Sequence, residues 1–216
     1  MRSALIAALL LLGGCNMVVT PTPMVSKTDE AGAPSLRPGV WRGKADPACA
    51  FDEQSSLDGW PSCANGAVVG DNDISVYQTL NGQRAPKSKV AYILAAGDPR
   101  VLQISLSGLT TGVGLSFNGY VYGGLRQTKT DAEGRIIAYS AWLVACGPSP
   151  PQNTKSSDGA KISFGTLAPF SGLVMDKDGQ NCAPKSVAAL RNATVESEKL
   201  PDATPSSSHW VRDGDR

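Results

Sequence analysis

Acidic side chains and a single histidine are the groups in this 216-residue chain that could perform acid–base chemistry. Two carboxylates facing each other in a cleft could hydrolyse a glycosidic bond, and several together could bind Ca²⁺. Six carboxylates lie between Trp41 and Trp60 or shortly after them: Asp46, Asp52, Glu53, Asp58, Asp71 and Asp73. Their spacing matches no metal-binding loop, which leaves a carboxylate-dependent hydrolase as the acid–base alternative.

Other catalytic and metal-binding patterns are absent or incomplete. His209, the only histidine, lies beside a Ser-rich stretch near the C-terminus, where a surface side chain is far more common than a general base. The segment Asp176–Asn181 is similar to the start of an EF-hand loop, but position twelve is Val187 instead of Glu, and we interpret the segment as a turn. The sequence has no G-x-S-x-G, H-E-x-x-H or P-loop motif. We therefore predict no catalytic residue, no cofactor and no metal.

Four of the five cysteines are predicted to form two disulfide bonds. They are Cys49, Cys63, Cys146 and Cys182. Cys15 is left out of the pairing because it belongs to the N-terminal pattern described below. An even number of cysteines in an exported chain is typical of disulfides, and the lack of a C-x-x-C motif argues against zinc or a redox-active pair. Of three possible pairings we favour Cys49–Cys63 and Cys146–Cys182, because each pair brackets a loop-rich stretch.

The N-terminal residues have the pattern of an export signal. Arg2 supplies a positive charge, an apolar run covers residues 4–12, and Gly13 and Gly14 precede Cys15. The run is much shorter than the roughly 20 residues that a membrane-spanning helix needs. Leu12-Gly13-Gly14-Cys15 resembles the lipobox of bacterial lipoprotein precursors. A plain secretory signal that is cut elsewhere is the alternative interpretation.

The lipoprotein resemblance implies where the mature protein resides. Residues 1–14 would be a signal peptide, and Cys15 would carry the acyl chains that anchor the protein to a membrane. An Asn at position 16, where an Asp would cause retention in the inner membrane, implies anchoring to the outer membrane, with the domain facing the periplasm. Residues 15–37 are rich in Pro, Thr and Ser without sustained periodicity, so we predict a flexible tether.

Residues 38–216 are predicted to form a single, mainly β domain that is stapled by the disulfides. Leu102, Ile104 and Leu106 alternate with polar residues, which is typical of a half-buried strand. Seven to nine short strands at even spacing predict an antiparallel barrel or sandwich. One C-terminal helix is predicted over 184–199, and 89–96 fits either a strand or a helix. The other strand candidates are 40–44, 73–80, 102–106, 113–121, 135–146, 161–167 and 170–175, with a further short strand near Trp210.

Two resemblances concern the start of the domain. Gly39-Val40-Trp41 resembles the opening motif of lipocalin-like barrels, which implies a carrier of a small apolar ligand. The candidate ligand-binding residues are Trp41, Phe117, Tyr139 and Trp142. Trp41 together with Cys49-Ala50-Phe51-Asp52 and Trp60-Pro61-Ser62-Cys63-Ala64 also resembles an uncharacterised family of exported lipoproteins of Gram-negative bacteria. Residues 38–63 are predicted to form a disulfide-stapled plug with aromatic packing.

Charge narrows the possible partners. The chain has 20 basic and 19 acidic residues, and loss of Arg2 with the signal peptide leaves 19 of each. This balance argues against nucleic-acid binding. We therefore predict a non-enzymatic, lipid-anchored envelope lipoprotein with a structural or protein-interaction role. A cavity of about 300 Å³ lined by the aromatic candidates would favour the carrier, and two converging carboxylates would favour the hydrolase.

Overall fold

The computed structural model describes residues 16–44, 48–61, 63–76, 79–80, 83–84, 88–107, 118–149 and 166–214. Residues 1–14, which are predicted to be a signal peptide, lie outside these ranges together with Cys15, Asp46 and Phe117, as do the candidate strand residues 113–117 and 161–165. Within them the chain forms thirteen strands, one α-helix and two 3-10 helices, at Lys27–Glu30 and Leu57–Gly59. The helix, α1, spans Val187–Glu198.

The strand bounds follow the chain in order. The first seven are β1 (Val19–Thr20), β2 (Gly39–Gly43), β3 (Gly66–Val69), β4 (Asp73–Val76), β5 (Thr79–Leu80), β6 (Gln83–Arg84) and β7 (Ser88–Ala95). The next six are β8 (Arg100–Ser105), β9 (Tyr120–Thr130), β10 (Ile136–Leu143), β11 (Leu173–Met175), β12 (Cys182–Pro184) and β13 (Ser206–Arg212). The ambiguous segment 89–96 is thus a strand, and the predicted strand near Trp210 is confirmed.

Eight of these strands close into an antiparallel barrel. Their order is β2, β3, β4, β7, β8, β9, β10 and β13, and β13 pairs back onto β2. Each strand therefore lies beside the barrel strand that precedes it in the chain, and α1 belongs to the connection between β10 and β13. The predicted mainly β fold with one C-terminal helix is confirmed, and the choice between barrel and sandwich is settled as a barrel.

The alternating strand directions give the barrel two different ends. One end, which we name the base, carries the short connections 70–72, 96–99 and 131–135. The other end, which we name the mouth, is where the long connections 44–65, 77–87, 106–119 and 144–205 begin and end.

Side chains on the two faces of the barrel wall belong to separate cores, because successive residues of a strand point to opposite faces. The inner core includes Trp41, Val69, Leu94, Leu102 and Leu125. The outer core fills the space between the wall and α1 and includes Val101, Tyr122, Val144, Leu190 and Ala193. A third cluster, Val40, Leu57 and Trp60, packs the connection 44–65 onto the outside of β2.

Local sequence explains why α1 begins and packs as it does. Ser186 caps the helix by accepting a hydrogen bond from the Ala189 amide at 3.2 Å. Leu190, Ala193, Thr194 and Ser197 are buried at helical spacing, so one stripe of the helix faces the barrel wall. The helix begins at Val187 and not at the predicted 184, because Pro184 is the last residue of β12.

Residues 16–37, which we name the strap, pack along the outside of the barrel. Val18, Val25 and Leu36 are buried, and β1 pairs with β9. The Gln103 side chain accepts hydrogen bonds from the amides of Met24 and Val25 at 2.8 and 3.1 Å. The prediction of a flexible tether is therefore wrong for this segment. Its few apolar residues are too widely spaced to show a period, and its hydrogen-bond partners are distant in sequence.

Candidate functional site

An aromatic cluster fills the barrel interior near the base. The ring centroids of Trp41 and Tyr139 are 5.2 Å apart, and Trp210 pairs with Trp41 across β13 and β2. Burial raises the pKa of the Tyr139 phenol, while a hydrogen bond with Ser208 acts in the opposite direction. The phenol is thus a neutral hydroxyl at physiological pH.

The last residues of the strap cover this cluster at the base of the barrel. The Trp41 indole donates to the Arg37 carbonyl at 2.9 Å, and the Trp210 indole donates to the Pro38 carbonyl at 3.0 Å. The Arg37 guanidinium lies 3.7 Å from the centre of the Trp210 ring and pairs with Asp213 at 3.2 Å. Both indole N–H groups are therefore bound to backbone, and the cluster closes the base of the barrel.

The four candidate ligand-binding residues do not form one site. Trp41 and Tyr139 meet inside the barrel, whereas Trp142 lies on the outer wall and donates to the Thr194 carbonyl of α1 at 3.0 Å. Trp142 pairs with Gly124, where an added Cβ would overlap the indole ring. Phe117 lies outside the described residues. Trp142 therefore attaches the helix to the barrel.

The described candidate carboxylates come from the connection 44–65 and from the region where β3 turns into β4. Asp52 and Asp58 are exposed in the connection 44–65, which packs along the outside of β2, and Asp52 accepts a hydrogen bond from the Gln54 amide at 2.9 Å. Asp71 and Asp73 lie at the base, where Asp73 pairs with Lys89 at 3.1 Å. Asp46 lies outside the described residues. Asp73 and Glu53 are each paired with a basic side chain, Lys89 and Arg42, and are not held as a catalytic carboxylate pair, so the geometry does not support the hydrolase.

Glu53 and His209 lie near each other on the outer wall. Glu53 pairs with Arg42, and its carboxylate is 3.9 Å from the His209 imidazole. Burial, followed by the charge of Arg42, lowers the pKa of His209, so this half-exposed imidazole is neutral at pH 7. The Glu53 carboxylate is therefore engaged in an ion pair with Arg42.

A surface pocket of about 350 Å³ lies between the strap and the outside of β7 and β8. Its walls include Pro23, Val25, Ile93, Gln103 and Tyr120. Trp41, Tyr139 and Trp142, the described aromatic candidates, do not line this pocket. Sequence patterns could not indicate it, because it forms only where the strap meets two strands that lie far along the chain.

Both predicted disulfides are confirmed. Cys49 and Cys63 have Cα atoms 5.7 Å apart, and Cys146 and Cys182 have Cα atoms 5.8 Å apart. The first bond staples the connection 44–65, where Phe51 and Trp60 have ring centroids 4.8 Å apart, as expected of the plug. The second bond lies beneath the strap, since the Cys182 amide donates to the Met17 carbonyl at 3.2 Å.

These features define an eight-stranded antiparallel barrel with one helix on its outer wall and two disulfide bonds. Comparison with protein-family models, with curated proteins and with solved structures finds no match for this chain. In the described ranges, no three His, Cys, Asp or Glu side chains come together in a group that could hold a metal ion. Nor is any helix in those ranges both long enough and apolar enough to cross a membrane.

Proposed function

We propose that the protein is an exported lipoprotein, anchored to the outer membrane through acyl chains on Cys15, that acts without catalysis in the periplasm. Its role would be structural or would consist of binding another envelope protein. The observation that carries the proposal is the lipobox resemblance of Leu12-Gly13-Gly14-Cys15, which directly precedes the first described residue of the barrel domain. Two acyl chains are sufficient for stable anchoring.

Two structural observations support this proposal. The disulfides Cys49–Cys63 and Cys146–Cys182 are compatible with an oxidising compartment such as the periplasm. Among the candidate carboxylates, Asp73 is held in an ion pair with Lys89 and Glu53 in one with Arg42. A non-enzymatic role does not need these carboxylates to form a catalytic pair.

Replacing Cys15 with serine tests the anchor. In a Gram-negative host supplied with labelled palmitate, we expect Cys15→Ser to lose all incorporation of label and to leave the membrane fraction as unacylated protein. The double variant Cys49→Ser/Cys63→Ser is the matched control, because it removes two thiols and keeps Cys15, and it should retain the label. Label that persists in Cys15→Ser would contradict the proposal.

A carrier of one small apolar ligand is the second candidate, and the closed eight-stranded barrel is compatible with it. Barrels of this size either fill their interior with side chains or hold one small ligand. Native mass spectrometry of the purified protein should then detect a bound apolar molecule. Ile104→Trp, which enlarges an inner side chain, should lose that molecule. A wild-type protein without bound mass, extracted in mild detergent, would contradict the carrier.

A further inference from the structure

We propose that the surface pocket between the strap and the outer wall binds a small molecule with an apolar body and one carboxylate. The pocket measures about 350 Å³ and is bounded by residues of the strap, β7, β8 and β9. This volume lies near the lower end of the range for small-molecule sites. The inference concerns the outside of the barrel, and it depends neither on the lipid anchor nor on a ligand in the barrel interior.

The floor of the pocket is apolar and partly open to solvent. Ile93 and Tyr120 are half-buried side chains that pack onto the outer core, of which Val25 is a member. Pro23 and Ala91 add exposed apolar surface to the walls. A ligand that covers these side chains removes apolar surface from water, and this removal is the main driving force for binding to an apolar surface.

The strap side of the pocket is held in place by hydrogen bonds to the wall. The Gln103 side-chain carbonyl accepts from the amides of Met24 and Val25 at 2.8 and 3.1 Å. The Gln103 side-chain amide donates to the Val25 carbonyl at 3.0 Å. Gln103 is 2% exposed, so water cannot readily replace these bonds. The strap residues that border the pocket are therefore fixed before a ligand arrives, which lowers the entropy cost of binding.

The next turn of the strap is also fixed, and its two carboxylates are bound to protein donors. Asp29 accepts hydrogen bonds from the amide and the hydroxyl of Ser26 at 2.8 and 3.0 Å. These bonds hold the pKa of the Asp29 carboxyl below its usual value. Glu30 accepts from the Leu94 amide at 3.0 Å. Neither carboxylate lines the pocket.

Among the described wall residues of the pocket, Lys27 alone carries a charge. Its ammonium group donates to the side-chain carbonyl of Asn72, which is a neutral partner. The neighbouring Asp73 is paired with Lys89 at 3.1 Å. Because Asp73 lies opposite Ala91 in the pairing of β4 with β7, the Lys27 ammonium lies at the Ala91 end of the pocket. This end of the pocket is therefore cationic.

The apolar floor and the single cation define the chemical class of the ligand. The floor suits an aromatic ring or a short aliphatic chain, and an ammonium group with a neutral partner suits an anion. One lysine matches one negative charge. Among the described wall residues there is no arginine, whose planar fork favours phosphate. A single carboxylate on an apolar body therefore matches this pocket best.

Ligand-observed NMR of the full protein in a mild detergent tests the proposal with hydrocinnamate as the probe. Hydrocinnamamide has the same apolar body without the charge and is the matched control ligand, and detergent alone is the blank. We expect the acid to bind about two- to fivefold more tightly than the amide, because an exposed ion pair adds a modest free energy. Equal binding of the acid and the amide, or no binding of the acid, overturns the proposal.

Two pairs of variants locate the site. Ala91→Phe fills the cationic end of the pocket and should abolish binding, whereas Ala132→Phe makes the same change at an exposed hairpin tip and should leave binding unchanged. Lys27→Met should weaken binding of the acid about two- to fivefold without affecting the amide. Lys129→Met, at an exposed position of β9, should change neither.

The variants can each refute the assignment. Binding of hydrocinnamate that survives Ala91→Phe places the site elsewhere, and a preference for the acid that survives Lys27→Met removes the role of the lysine. Far-UV circular dichroism checks the fold of every variant. Because Lys27 and Ala91 are exposed residues on different elements, one misfolded variant does not decide the result.

Discussion

Replacing Trp142 with alanine is expected to lower the free energy of unfolding by about 3–5 kcal/mol. The indole is 6% exposed, covers Gly124 of β9 and donates to the Thr194 carbonyl at 3.0 Å. Its removal would leave a cavity between the barrel wall and α1 as well as a lost hydrogen bond. Urea-induced unfolding, followed by the fluorescence of the three remaining tryptophans, measures the loss.

Two control variants separate packing from the hydrogen bond at this position. Trp142→Phe keeps much of the packing and loses the indole N–H, and should cost about 1 kcal/mol for the hydrogen bond plus a smaller packing loss. Leu143→Ala changes the adjacent, half-exposed residue and should cost less than about 1 kcal/mol. If Trp142→Ala is as stable as Leu143→Ala, Trp142 does not attach the helix. A ligand-binding role would then deserve a direct test.

Removing the Cys146–Cys182 bond is expected to destabilise the protein by about 4 kcal/mol, more than removal of Cys49–Cys63. The chain-entropy model relates this loss to the length of the closed loop, and the sequence separations are 36 and 14 residues. The same model gives about 3 kcal/mol for the shorter loop. Cys146 and Cys182 are also buried beneath the strap, with exposed fractions of 0% and 2%.

The measurement compares two double variants, Cys146→Ala/Cys182→Ala and Cys49→Ala/Cys63→Ala, in urea without reductant. Each serves as the matched control for the other, because each removes one bond and two thiols. If both double variants lose the same free energy of unfolding, or if the variant with the shorter loop loses more, loop length does not determine which disulfide stabilises the protein more. In the expected case the strap of the Cys146→Ala/Cys182→Ala variant also becomes sensitive to trypsin at Lys27, because β12, which contacts the strap at Val18, is no longer tied to the segment that follows β10.

Sequence patterns predicted most strands, because half-buried strands alternate between apolar and polar residues. The alternation of Leu102, Ile104 and Leu106 correctly indicated β8, and β10 and α1 were found within a few residues of their bounds. Most of β9 was missed. Its sequence contains Gly123 and Gly124, and its last four residues are exposed polar side chains without a period. The glycines are explained only by the fold, since Trp142 occupies the space beside Gly124.

The candidate site was harder to predict than the fold, because it depends on which face of each strand points inward. Tyr139 and Trp142 differ by three positions, so they lie on opposite faces of β10, and only Tyr139 joins Trp41 inside the barrel. Strand pairing decides this, and a single sequence does not contain the register. The strap was missed for a related reason: its anchors, Gln103 and Ile136, are distant in the chain.

Because β13 closes the barrel, the barrel cannot be completed before the last strand of the chain is present. The last strand, Ser206–Arg212, lies between β10 and β2 and supplies hydrogen bonds to both. Until it arrives, β2 and β10 each present a row of unpaired amides and carbonyls, and such open edges recruit strands from other molecules. Because a chain is synthesised from its N-terminus, both edges stay unpaired until β13 has been made. Shortened chains that end before residue 206 would keep those edges permanently and would be prone to self-association.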